Sequence, residues 1–293
     1  MKNMKTLNID RTMNALAGKI IILGLSMALT LLVSCNNDEA TLDFSAEDTE
    51  SASSDAVEDT YFEDADDMMT DALEEDDAAL SGGKVATDER FTCASRERLG
   101  TKEAGSLRVD FGEGCTDPRG NTRKGVIVVE HTGRWNEPGS ILNISYDNYS
   151  INGIKIEGNR KVTVLSVIDS TTTYDVALTG GKVTWPDGRV ATREVNHKRE
   201  RERHLNHLLD RLIIYGTAQG TSRNGRGYSI EILERLIYKR ACSTEGVIIP
   251  VSGVKFIKHG DRELTVDYGD GTCDNMVTLT NKNGKTVRYE VKK

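Results

Sequence analysis

The chain has 293 residues, 37% of them hydrophobic, and a formal net charge of −8 that averages two opposite objects. Residues 36–83 hold eighteen acids and no Lys or Arg, whereas residues 84–293 hold 34 bases against 27 acids. A basic body could suggest nucleic acid, but no reader motif and no interleaving of aromatic with basic residues accompanies the charge, so that partner class is excluded.

The first segment carries Lys2, Lys5, Arg11 and Lys19 and is followed by an uncharged run from Ile20 to Val33. Fourteen residues are too few to span a bilayer, which takes about 20, but they suit the apolar core of a secretory signal. Leu32-Val33-Ser34-Cys35 follows and resembles the bacterial lipobox. Residues 1–34 are therefore read as a lipoprotein signal peptide and Cys35 as the lipidated first residue of the mature chain. Acyl chains contribute about 0.8 kcal/mol per buried CH₂, enough for stable anchoring when several are attached. Position 36 is Asn rather than Asp, and Asp38-Glu39 loosely resembles the surface-export signal of Bacteroidota lipoproteins. The expected address is the outer membrane, on its periplasmic or cell-surface side.

Residues 35–83 follow as an acidic segment rich in Ser, Ala and Thr. So charged a stretch, poor in large apolar residues, is expected to stay a disordered, self-repelling tether. One piece has helical spacing, with Phe62, Ala65, Met69, Leu73 and Leu80 near one face. The opposite charge of the body leaves docking of this segment possible, but a solvated spacer is the expectation.

Residues 84–293 are expected to be one all-β domain. Turn signals such as "INGI", "TGGK", "SRNGRG" and "NKNGKT" recur at hairpin spacing. Between them the sequence alternates: Leu264, Val266 and Tyr268 oppose Glu263, Thr265 and Asp267. This pattern predicts an antiparallel meander of hairpins, forming a sandwich or a long curved sheet, with two related halves. The stretch "ATREVNHKRERERHLNHLLDRLIIYG" holds little apolar residue in its first half and reads as a charged helix or, given the flanking strands, a long edge strand. On a helix His197, His204 and His207 would share a face and invite zinc, yet no cysteine or carboxylate completes such a set. A solvated charged face is the expectation there.

Two segments are alike. "LRVDFGEGCTD" (107–117) and "LTVDYGDGTCDN" (264–275) share Val-Asp-aromatic-Gly-acid-Gly followed by a cysteine, and each has another cysteine upstream. Four cysteines allow three connectivities, of which the repeat favours Cys93–Cys115 and Cys242–Cys273. Beyond a secretory signal the compartment is oxidising, so disulfides are expected. Asp110, Glu113 and Asp117, like Asp267, Asp270 and Asp274, offer hard oxygen ligands for calcium, but their spacing is not that of an EF-hand. Glycine-rich acidic turns account for them without an ion. The residues from "VDFGEGCTDPRGN" through "TVDYGDGTCDN" resemble a family of uncharacterised Bacteroidota lipoproteins over most of residues 105–293. The resemblance implies a lipoprotein address and a β-rich body, and it brings no catalytic or ligand residues with it.

The chain contains no G-x-S-x-G elbow, P-loop, H-E-x-x-H or dinucleotide fingerprint. No catalytic residue, cofactor or metal is expected. Trp135 and Trp185 lie beside turns, where a tryptophan stacks on a sugar or, more commonly, caps the core. The expected function is that of a non-enzymatic binding or structural module, with the membrane contacted through the anchor and an envelope or extracellular glycan or protein as partner. The alternative is an envelope hydrolase acting on glycan or peptide, which would need two carboxylates with raised pKa across a cleft.

Overall fold

The computed structural model describes Phe44 and residues 46–82 and 88–291. The expected signal peptide and the lipidated Cys35 lie outside the described residues. The first element is a helix, α1 (Ala46–Leu80), and a sheet follows. Its strands are β1 (Ser95–Gly100), β2 (Ala104–Asp110), β3 (Cys115–Thr116), β4 (Thr122–Thr132), β5 (Ile141–Ile151), β6 (Ile154–Ile168), β7 (Thr171–Thr184), β8 (Val190–Glu202), β9 (Arg211–Thr221) and β10 (Gly227–Lys239). A short helix, α2 (Arg240–Thr244), precedes β11 (Ser252–His259), β12 (Arg262–Asp270), β13 (Met276–Asn281) and β14 (Thr286–Glu290).

Every pairing is antiparallel and nearly every strand lies beside its neighbours in the chain, with the two-residue β3 set beside β4. The body is the all-β meander expected from the alternation, and of the two expected forms it is the single curved sheet. β1 and β14 are its open edges. Irregular register at β4–β5, β5–β6, β6–β7 and β7–β8 bends the ribbon. One bend needs glycine on both strands: a Cβ on Gly158, whose φ is +136°, would stand 3.0 Å from the Cα of Gly181.

The acidic segment departs most from expectation. Far from being a solvated tether, it forms α1 and is built into the core of the same compact unit, which spans Asp38–Lys293. Phe62, Ala65, Met69 and Leu73 are buried, as their spacing suggests, while Leu80 is exposed. Residues 54–59 are buried without interruption. Six consecutive helical residues cover more than a full turn, so the sheet encloses this part of the helix on all sides. The curvature agrees: β4 and β11 are seven strands apart, roughly 34 Å in a flat sheet, yet Arg123 of β4 and Lys255 of β11 both reach acids within Asp55–Asp64.

The disulfides are those favoured by the repeat. Cys93 and Cys115 have Cα atoms 5.6 Å apart, and Cys242 and Cys273 5.0 Å. In each copy one cysteine precedes a hairpin (β1–β2 or β11–β12) and its partner follows the Val-Asp-aromatic motif, with Val109 and Val266 buried. The likeness is local to these two hairpin units, which stand near opposite ends of the meander.

Candidate functional site: an acidic helix in a cationic trough

The inner face of the sheet is lined by cations. On β8 the alternation puts Ala191, Arg193, Val195, His197 and Arg199 inside and Thr192, Glu194, Asn196 and Lys198 outside. The charged stretch is therefore a strand as far as Glu202, but a central one between β7 and β9 rather than the expected edge, and the expected solvated face is half wrong: Arg193, His197 and Arg199 are buried. Arg193, Arg123 and Arg160 are among the most fully enclosed side chains in the protein.

These cations meet the acids of α1 in order along its length. Arg193 pairs with Asp55 at 2.6 Å and also with Asp59, and Lys255 reaches the same two carboxylates at 2.7 and 2.6 Å. Arg160 and Arg199 share Glu63 and Asp66. Arg201 holds Asp67 at 2.6 Å, and Arg203 holds Glu74 at 2.6 Å. Helix and strand thus run side by side in the same direction, the acids recurring every three or four residues and the arginines holding the inward positions 193, 199 and 201 of β8, with Arg203 just beyond its end. Buried ions are tolerated only when paired and hydrogen-bonded, which explains why so polar a helix can occupy a core.

The innermost group does not balance. Asp55, Glu58, Asp59, Glu63 and Asp66 face Arg160, Arg193, Arg199 and Lys255, five carboxylates against four cations. Glu58 is the odd member: its nearest cation is Arg193 at 3.6 Å. Burial pushes the Glu58 carboxyl up to about 8, despite the opposing pull of Arg193, so it is protonated at neutral pH. Unfolded, the same group loses its proton near 4.5. The folded state therefore binds the extra proton between these values, and stability falls as pH rises through the window. His197 acts in the opposite sense, because burial pushes its imidazole down to about 4, but its contribution is complete above its ordinary 6.5. Glu63, which burial pushes up to about 7, acts in the same sense as Glu58, so we expect the thermal midpoint to drop between pH 6.5 and 8.5, with roughly 2 kcal/mol of stability lost through Glu58. Glu58→Gln should flatten that slope and raise the midpoint at pH 8.5. Calorimetry across the range checks it, and an unchanged slope in the variant would refute the assignment.

Along one stripe the helix is only half covered. There a cleft of about 550 Å³ opens above Asp64 and Asp67, with Pro118 and Arg119 on one wall and Ser243 and Ile248 on the other. Each wall belongs to one disulfide-pinned unit. Arg90, three residues before Cys93, and Arg240, two before Cys242, both pair with Asp67, at 3.2 and 3.3 Å. The two repeats thus close on the helix as a pair of clasps. Thr60 adds a hydrogen bond of 2.7 Å to the Ile248 carbonyl. Nothing in the apolar periodicity of α1 marks this site; the signal was its carboxylates at Asp55, Asp59, Glu63 and Asp66, read against the cations on the odd positions of β8.

The other candidates fall elsewhere. His197 is buried in β8 and neutral, whereas His204 and His207 are exposed in the loop that follows, so the three share no helical face. Asp110, Asp267 and Asp274 accept backbone N–H groups two residues on, from Gly112, Gly269 and Met276, and Asp270 accepts from Thr272. Asp117 holds Arg123, and Glu113 is exposed. Among the described residues no group of three or more His, Cys, Asp or Glu is arranged to hold a metal ion. Trp185 is buried beneath the guanidinium of Arg223, 4.8 Å from its ring centre, and Trp135 is half-buried beside Arg203. Compared with known proteins, the chain matches no family model, no curated protein and no solved structure.

Proposed function

We propose that the chain is an outer-membrane lipoprotein, anchored through Cys35, whose β-body is a non-enzymatic binding module with the clasped cleft as its ligand site. The partner is an envelope or extracellular glycan or protein. The observation that carries this reading is the state of the carboxylates at the cleft. Asp64 is paired with Arg90 and Arg123, and Asp67 with Arg90, Arg201 and Arg240, so both serve as counter-ions to arginines. Glu63, which burial pushes up, also reaches the cleft, but it is clamped by Arg160 and Arg199. The other carboxylates on the lining are Asp210, which accepts from the His204 amide, and the exposed Glu245, so a hydrolase would have to pair Glu63 with one of these across the opening. The cations of the body turn inward to α1, so its positive count is largely spent on the helix and does not by itself select an anionic glycan.

The test has two arms. Cys35→Ala should move the protein out of the membrane fraction; retention there with an uncleaved signal would refute the anchor. Residues 38–293 should capture a partner on glycan arrays or in pull-downs, and Ser243→Trp, filling the cleft from an exposed position, should weaken capture at least tenfold with an unchanged thermal midpoint. Capture indifferent to Ser243→Trp would rule out the cleft.

A further inference from the structure

The segment between β8 and β9, residues 203–210, is unlike the other turns of the meander. It carries Leu205, Leu208 and Leu209 with exposures of 106%, 52% and 58%. The neighbouring β6–β7 hairpin adds Ile168 at 67%, brought alongside by the bond from the Arg203 amide to the Ser170 carbonyl at 2.9 Å. Isolated exposed leucines are ordinary, but four aliphatic side chains gathered on adjacent loop tips are not.

The loop is built to hold them there. Asp210 accepts from the His204 amide at 2.7 Å and contacts the His207 ring at 3.2 Å. Asn206 caps the 3₁₀ turn His207–Leu209, its side chain accepting from the Leu208 amide and its carbonyl from the Leu209 amide. The Asp210 amide bonds the His207 carbonyl, and the Arg240 amide bonds the Asp210 carbonyl. Of the eight amides in 203–210, five are thus hydrogen-bonded within the protein, those of residues 203, 204, 208, 209 and 210.

We propose that this loop, with Ile168, is a docking element for a lipid surface. Three features select lipid over a protein partner. First, a segment entering an apolar medium must bring its own hydrogen bonds, and this loop brings them for five of its eight amides, which suits shallow immersion at the hydrated interface rather than burial in the hydrocarbon. A protein partner could supply those bonds across the interface. Second, the four side chains present on the order of 400 Å² of apolar surface, about half of the roughly 800 Å² each partner buries in a stable protein complex. A bilayer interface asks only for immersion of the tips. Third, the flanks carry polar groups at headgroup depth: Arg211, half-exposed and paired with Glu202 at 2.6 Å, and the exposed His204 and His207 on the loop itself. The contact is separate from the anchor at Cys35 and does not rest on it.

The test uses residues 38–293, the compact unit, which lack both Cys35 and the apolar run before it. The protein should float with phosphatidylcholine vesicles enriched in phosphatidylglycerol. Replacing all three leucines (L205D, L208D and L209D) should lower the bound fraction at least tenfold, with the thermal midpoint little changed because none of the three belongs to the buried core. Leu208→Trp should shift its emission to the blue on adding vesicles. A protein that stays in the aqueous fraction with these vesicles, or a triple variant that floats as well as its parent, would overturn the proposal. So would a parent that light scattering shows to be a dimer which the triple variant dissociates, since the leucines would then serve a second copy of the chain.

Discussion

A chain beginning at residue 88 should show no cooperative thermal transition. Removing α1 takes away fifteen carboxylates and the buried Phe62, Met68, Met69 and Leu73. What remains is a sheet whose inner face holds Arg160, Arg193, Arg199 and Lys255 without their α1 counter-ions, and Arg123 with Asp117 alone, and whose apolar residues face a void. Each uncompensated buried charge costs several kcal/mol, and a whole domain is stable by only about 5–15 kcal/mol. The helix is equally dependent. With fifteen acids and no base it gains no favourable i,i+4 ion pair, and its hydrophobic face is narrow, so a peptide of residues 46–82 alone should give a coil spectrum by circular dichroism. Mixing the two should restore helical signal. A body from residue 88 that melts at the midpoint of residues 38–293 would contradict the architecture.

Arg193→Ala should be the most damaging single substitution, lowering stability by about 3–5 kcal/mol. Arg193 is enclosed and serves Asp55 and Asp59 directly, with Glu58 beyond at 3.6 Å. Its loss leaves Lys255 alone against Asp55 and Asp59, with the protonated Glu58 beside them. For a domain of this size the midpoint should fall by roughly 8–15 °C. The pair Arg193→Met with Asp59→Leu should recover part of the loss, because a buried ion pair replaced by well-packed apolar groups is often close to neutral. A double variant no better than Arg193→Ala would mean that the site is damaged by altered packing rather than by the stranded charge.

The sheet was legible because its strands obey the usual alphabet. Leu264, Val266 and Tyr268 alternate with polar neighbours, and the Asn-Gly and Gly-Gly turns mark the hairpins between them. The repeated Val-Asp-aromatic-Gly motif likewise led to both disulfides. The site was not legible because its core is written in a second alphabet. Hydropathy counts Arg193, Arg199 and Arg201 as surface, as it counts Asp55, Asp59 and Glu63, and each set alone reads as solvated. Only together do they show a buried face. A trace was present on β8, where Arg193, Arg199 and Arg201 occupy odd positions while Glu194, Glu200 and Glu202 occupy even ones. Charge sorted by parity marks a strand with two different faces as surely as apolar residues do. On α1 the disorder argument failed for the same reason: it weighed apolar area and left out ion pairs with a distant part of the chain.

The parallel course of α1 and β8 also fixes how the protein bears a load. A pull on the N-terminal side of α1, directed along its axis, meets the contacts of Asp55 with Arg193, Glu63 with Arg199 and Asp67 with Arg201 in shear, so that they resist together. A pull across the axis would break them one after another. The helix is therefore a rod seated in the sheet, strong in tension along its length and weak to peeling, and the direction in which the chain leaves its first turn decides which of the two the protein experiences.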